Sequence, residues 1–246
     1  MMVTGVIART SPSRASATEP SLFGASCGVY VRIVRLALAE KGVAYRLVER
    51  DRPELDGPWP VGAQHHTFGR IPAFDHDGFV LHEAGAITRY IDEAFAGPAL
   101  QPANPRGRAR MHQIISLLDN LAYHTLVWDI FVERVRAAFE GRAPDQVRIA
   151  AALPIAETCL DELVELMADG PYLAGERVSL ADLHAAPMMI YAHMSPEGAA
   201  LMHARPTLEA WLRRIGRRSS VGDTRTPLEL LAWHSAAAPS GPRPIA

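Results

Sequence analysis

The stretch from Phe68 to Ile91, FGRIPAFDHDGFVLHEAGAITRYI, constrains this chain more than any other, because two strands, a turn and a helix start must fit into it. Ile71, Ala73 and Phe74 form one apolar run and Phe79 to Leu81 another, with Asp75-His76-Asp77-Gly78 between them. Asp-Gly is what a tight two-residue hairpin turn demands, since both central positions take positive φ. Beyond the hairpin the period becomes helical, with Ala84, Ile87 and Ile91 on one face and Arg89, Asp92 and Glu93 on the other. That spacing predicts a helix starting near Glu83. Pro72 cannot donate to a ladder and its peptide bond is open to the cis form, which leaves the Ile71 backbone free to pair with an extended ligand. Glu83 at a helix N-terminus joins free N–H groups that accept a carboxylate to a side chain that takes an ammonium. Such a unit suits a small zwitterion.

Upstream, Ser21 to Gly24 reads as a short strand and Val29 to Lys41 as a helix, with Val31, Val34, Leu36 and Leu38 inward and Gly42 as its C-terminal stop. Val43 to Val48 is a second strand, so the chain opens with a βαβ unit whose first pair is parallel. Residues 51–67 carry Pro53, Gly57, Pro58, Pro60 and Gly62 and predict a loop with one irregular turn of helix.

The breaker-rich run Gly97-Pro98-Ala99-Leu100-Gln101-Pro102 separates this unit from a region with no strand pattern. Asn104-Pro105 caps a long helix whose inward face is Met111, Ile114, Ile115, Leu118, Leu121 and Leu126. Gly141-Arg142-Ala143-Pro144 ends it, and Val147 to Met167 forms an antiparallel partner that Pro154 should kink by freeing the Ala150 carbonyl. Ser179-Leu180-Ala181-Asp182 is a capping signature opening another helix, and Arg205 to Leu212 reads as the last amphipathic one. The expected organisation is a disordered leader at 1–19, an α/β domain at 20–97, a linker at 98–103, an all-α domain at 104–234 and a disordered tail at 235–246.

Composition narrows the function class. With a formal net charge of −2 and an isoelectric point near 6.6, the chain has no electrostatic reason to bind nucleic acid or an anionic membrane. No apolar run is long enough to span a bilayer, and two cysteines make no disulfide framework, so a reducing cytoplasm is the expected compartment. No residue pattern argues for a metal.

RIPAF and HEAGAI resemble the V/I-P-A strand and E-S-x-A-I helix start of the glutathione S-transferase family, and Ser179 to Asp182 resembles that family's S/T-L-A-D helix. The likeness runs over roughly residues 20 to 218. It implies a thioredoxin-like α/β domain followed by an all-α bundle, glutathione as co-substrate, an apolar electrophile beside it and a homodimer. Counted back from Glu40-Lys41-Gly42, the activating position of serine-type members falls on Gly28, so the thiolate would rest on the Gly28 to Tyr30 N–H groups, with Ser26 or Cys27 assisting. The tyrosine-type position falls near Phe23 or Gly24, without a phenol. By the same resemblance Ile71 and Pro72 pair with the peptide, Glu83 takes the ammonium, and Ala84 stands where a Ser or Thr hydroxyl usually meets the γ-glutamyl carboxylate. Arg70 and His65 lie toward the glycyl end, and Tyr123, His124 and Trp128 line the electrophile pocket. Two missing hydroxyls, at Gly28 and Ala84, keep other readings open. One is a glutathione-dependent isomerase, since Ala25-Ser26-Cys27-Gly28 resembles the S-S-C motif of zeta-type members; another is a non-catalytic member that holds an apolar metabolite or partner. Cys159, between Ile155 and Leu163, reads as a core thiol.

Overall fold

Strand β1 (Ser21–Phe23) lies inside a four-stranded sheet of order β2-β1-β3-β4, completed by β2 (Arg46–Val48), β3 (Ala73–His76) and β4 (Phe79–His82). A computed structural model describes residues 19–49, 69–167 and 169–230; the expected leader up to residue 18, the 51–67 loop and the tail lie outside these. β1 runs parallel to β2 and antiparallel to β3, with Leu22 opposite both Leu47 and Phe74. The crossover is α1 (Val29–Lys41), the length its apolar spacing predicts. Gly42 ends it at φ 67°, and the Gly42 and Val43 N–H groups cap the carbonyls of Ala39 and Leu38. That cap uses the backbone expected to open the second strand, so pairing starts only at Arg46.

The β3–β4 turn holds Asp77 and Gly78 at φ 55° and 82°, both positive as the Asp-Gly pair requires. α2 (Ala84–Ala94) follows directly and buries Ala84, Ile87 and Ile91 against α1. Lys41 joins these parts: its ammonium donates to Asp92 Oδ1 at 3.1 Å and to the Asp92 and Pro98 carbonyls.

Helix α3 begins as an α-helix (Pro105–Leu117) with Asn104 Oδ1 accepting the Gly107 N–H at 2.8 Å. It continues unbroken with i→i+5 hydrogen bonding over Leu118–Arg136 and closes with the turn Ala137–Phe139. This register change corrects the expected face. In the wider helix the inward positions recur about every four and a half residues, so Leu118, Ala122, Leu126, Val127, Ile130 and Phe131 are buried and Leu121 is 47% exposed. Two acids on this stretch, Asp129 and Glu133, are buried and held by Arg148 and Arg142, which ties α3 to α4 (Gln146–Met167). Pro154 lies within α4, and Cys159 is a core thiol whose pKa burial pushes up to about 11.

The centre of the helical region is α5 (Leu180–His193), where Asp182 is fully buried. Its carboxylate accepts from Leu173 N–H, Ser179 N–H, Ser179 Oγ and Trp211 Nε1, each at 2.8 Å. Trp211 belongs to α7 (Pro206–Ile215), and between them lies α6 (Pro196–His203), which the sequence pattern did not signal. The described chain closes with α8 (Ser219–Asp223) and a helical turn at 227–230. No helix among the described residues is long and apolar enough to cross a membrane.

Candidate active site

The chain between β1 and α1 turns at Gly24, where φ is 149° and a Cβ would come within 2.5 Å of Val31 Cγ2. Only glycine lets the strand end pass this close to the helix. Gly28 then caps α1 in extended conformation, at φ −68° and ψ 131°. Its carbonyl accepts the Arg32 N–H at 2.9 Å and its own N–H donates to Ala25 O at 2.8 Å. The expectation that Gly28 contributes a free N–H is therefore corrected: that donor is already used inside the loop. The first-turn N–H groups of Val29 and Tyr30 have no intrahelical acceptor and remain the helix-end donors.

Across from this end, the Ile71–Pro72 peptide is cis, and β3 enters the ladder only at Ala73, so the Ile71 backbone lies just outside it. The Ile71 side chain packs toward the two glycines, and a Cβ at Gly28 would sit 3.5 Å from Ile71 Cδ1. Glu83, the N-cap of α2, is exposed and takes φ 65° with ψ 116°. A non-glycine residue in that conformation costs on the order of 1–3 kcal/mol, strain that concentrates at functional positions. Its carboxylate acts weakly on the side chain of Tyr30, in the first turn of α1. Ala84 is buried at the start of α2 and Arg70 is exposed, whereas His65 lies outside the described residues.

The expected pocket residues divide. Tyr123 is half-buried with its ring 4.6 Å from that of Tyr30, and Trp128 stands edge-on to Tyr123 at 6.5 Å. His124 does not join them; it is exposed and pairs with Asp129 at 2.9 Å. Three side chains that sequence reasoning did not place in the pocket complete the wall: Tyr30, Asp119 and His184. His184 Nε2 lies 2.7 Å from Asp119 Oδ1, and its buried Nδ1 has no hydrogen-bond partner among the described residues. Burial and then the facing Asp119 carboxylate, with smaller contributions from Tyr123 and Glu83, push the Tyr30 phenol far above the usual tyrosine range. It stays protonated. The signals were there in Tyr30 two residues after the cap and in the i,i+4 pair Asp119 and Tyr123, but neither says which faces meet.

Ser26 and Cys27 lie in the loop, before the helix. Ser26 N–H donates to Glu49 Oε2 at 2.9 Å; Cys27 is exposed, and its carbonyl accepts the Tyr191 hydroxyl at 2.7 Å.

Two family models match the chain: residues 22–99 match the glutathione S-transferase N-terminal domain and residues 146–214 the C-terminal domain. The chain belongs to the glutathione S-transferase family. Glutathione S-transferase 4 of Zea mays is 29% identical over 204 residues, covering 80% of this chain and 87% of the relative. Among solved structures, glutathione transferase F7 from Populus trichocarpa superposes with a TM-score of 0.74 at 28% identity, covering 83% of this chain and 97% of that one. Glutathione S-transferase III in its apo form gives 0.75 at 27% identity, covering 92% and 100%. As a member of this family the chain has the thioredoxin-like sheet and helical bundle, and its Gly28 and Ala84 bring no hydroxyl to the helix ends of α1 and α2.

Proposed function

We propose that this protein is a glutathione transferase that conjugates glutathione to an apolar electrophile. The observation that carries the reading is the meeting of three elements: the α1 N-terminus, the Ile71 backbone that lies outside the β3 ladder beside cis-Pro72, and the strained Glu83 at the start of α2. In this reading the glutathione backbone pairs with Ile71, its ammonium meets Glu83, and the Ala84 N–H takes the γ-glutamyl carboxylate. Arg70 is in reach of the glycyl end. The sulfur lies at the Val29 and Tyr30 N–H groups, where the helix dipole favours the thiolate. The thiol proton leaves to solvent, the sulfur forms a C–S bond to the electrophilic carbon, and the displaced anion departs. Tyr123, Trp128 and Tyr30 give the electrophile an aromatic wall.

The working form in this reading is a cytoplasmic homodimer of two-domain subunits, with domains at 20–97 and 104–234. Strand β4 is a sheet edge that exposes Phe79 and Val80, a surface suited to a second copy. A glutathione-dependent conjugation assay with a chromogenic aromatic electrophile tests the reading. It stands if the rate saturates with glutathione and requires the protein, and it falls if a folded sample gives no rate above the uncatalysed background. A second reading, binding without turnover, is favoured by the absent hydroxyls at Gly28 and Ala84, and saturable binding without conjugation would select it.

A further inference from the structure

We infer that the stretch 224–229 positions the loop 25–28, acting through Arg35 and Tyr191, and so sets the geometry of the thiol site; the catalytic part of this rests on the glutathione reading above. The two carbonyls that precede the Gly28 cap are each held from behind. Ser26 O accepts from Arg35 Nη1 at 3.2 Å, and the same nitrogen lies 3.4 Å from Thr224 O, while Arg35 Nε donates to Tyr45 Oη at 3.1 Å. Cys27 O accepts from Tyr191 Oη at 2.7 Å. The Tyr191 ring is stacked on Phe131 at 4.9 Å and 17°, and on another side the Arg32 guanidinium stands 5.8 Å from its centroid. Arg32 is fully buried and forms a two-pronged pair with Glu229, at 2.5 and 2.9 Å. Glu229 in turn accepts from the Thr226 N–H and Oγ1.

Peptide geometry makes these contacts matter for the site. The Cys27 carbonyl and the Gly28 N–H belong to one planar unit. With the first tied to Tyr191 and the second to Ala25 O, the plane leading into α1 is fixed at both edges. Arg35 holds the oxygen edge of the preceding plane. The direction of the α1 N-terminal donors therefore depends on residues whose own anchors lie near the end of the described chain. Glu229 compensates an otherwise buried charge, so loosening the 224–229 stretch loosens Arg32, the Tyr191 ring beneath it and the loop carbonyl. Tyr191 and Arg35 are positioning residues; neither touches the reacting atoms.

Tyr191→Phe removes the hydroxyl and keeps the ring on Phe131; Glu229→Gln keeps the shape of the anchor and removes its charge. Alkylation of Cys27 by iodoacetamide, without glutathione, reads loop freedom directly, because Cys159 is buried with a raised pKa. Loss of one hydrogen bond should speed Cys27 alkylation roughly three- to tenfold and raise the KM for glutathione by a similar factor. The KM for the electrophile should stay within about twofold, and Glu229→Gln should show the same pattern in smaller measure. Ile149→Val in α4 serves as a control of general destabilisation. The inference is overturned if either variant alkylates and binds glutathione like the wild type, or changes no more than that control. Faster alkylation in a family of variants of which none, wild type included, responds to glutathione would uphold loop positioning and overturn the glutathione reading.

Discussion

Replacing Gly28 by serine should restore the hydroxyl that the α1 helix end lacks, and the structure allows its size to be worked out. The Gly28 backbone at φ −68° suits any L-residue, but a Cβ there meets Ala25 O at 3.1 Å, tighter than ordinary contact, and Ile71 Cδ1 and Val31 Cγ2 at 3.5 Å. The backbone oxygen has to give by a few tenths of an ångström, and this offsets the few tenths of a kcal/mol that serine gains over glycine at an N-cap. Net stability should change by less than ~1 kcal/mol, which shifts Tm by less than ~4 °C for a chain of this length. The serine oxygen can accept a first-turn N–H while its proton points to the sulfur. A hydrogen bond to a charged group contributes about 1.5–3 kcal/mol, so the bound thiol's pKa should fall by roughly one to two units from ~8.5. Near pH 6.5 the thiolate fraction would rise about ten- to fiftyfold, but intrinsic nucleophilicity falls with pKa, leaving a net rate gain of roughly three- to fivefold. The assays are an ultraviolet titration of the bound thiolate and initial conjugation rates against pH. A folded variant that binds glutathione with unchanged thiol pKa and unchanged pH–rate profile would show that Gly28 is not at the sulfur.

Further outcomes follow from particular contacts. Ala84→Ser, placed at the α2 N-terminus, should lower the KM for glutathione severalfold and leave kcat unchanged, as steady-state kinetics will read; a change confined to kcat would argue against that placement. Leu121→Gln should cost less than ~0.5 kcal/mol in urea unfolding while Leu126→Ala costs about 2–5 kcal/mol, because the wider turn of α3 exposes the first and buries the second. Burial works to raise the Glu40 carboxyl, but hydrogen bonds from Arg218 and Ser220 outweigh it and hold the group below its ordinary value of 4.5. A depressed folded pKa means that the unfolded chain takes up the proton first. The stabilisation is thus complete above that ordinary value and is lost as pH falls through the folded one. Glu40→Gln should flatten this part of the stability profile in urea midpoints measured down through the carboxylate range.

Local rules carried much of this fold. Asp77-Gly78 specified the hairpin, Gly42 the end of α1, Asn104-Pro105 the start of α3 and Ser179 to Asp182 the buried carboxylate node, because each depends on residues a few positions apart. The register of 118–136 escaped, since apolar spacing read with a 3.6-residue period puts Leu118, Leu121 and Leu126 on one face, and only the i→i+5 bonding moves Leu121 outward. Gly28, Ile71, Glu83 and Tyr123 could be named from the sequence as candidate positions, while the contact of Asp119 with His184 could not. Asp119 and His184 meet 65 residues apart in sequence, and Tyr191 reaches the Cys27 carbonyl across 164. No periodicity encodes such pairs; they exist only once α3 and α1 pack against α5.

Calorimetric titration of the full chain with reduced glutathione addresses the central claim most directly, since it needs no electrophile and no turnover. Saturable one-site binding in the micromolar to low-millimolar range, about −8 to −4 kcal/mol, is the expected result, and Glu83→Ala should weaken it severalfold. Absence of heat up to ~10 mM glutathione with a folded protein would contradict it.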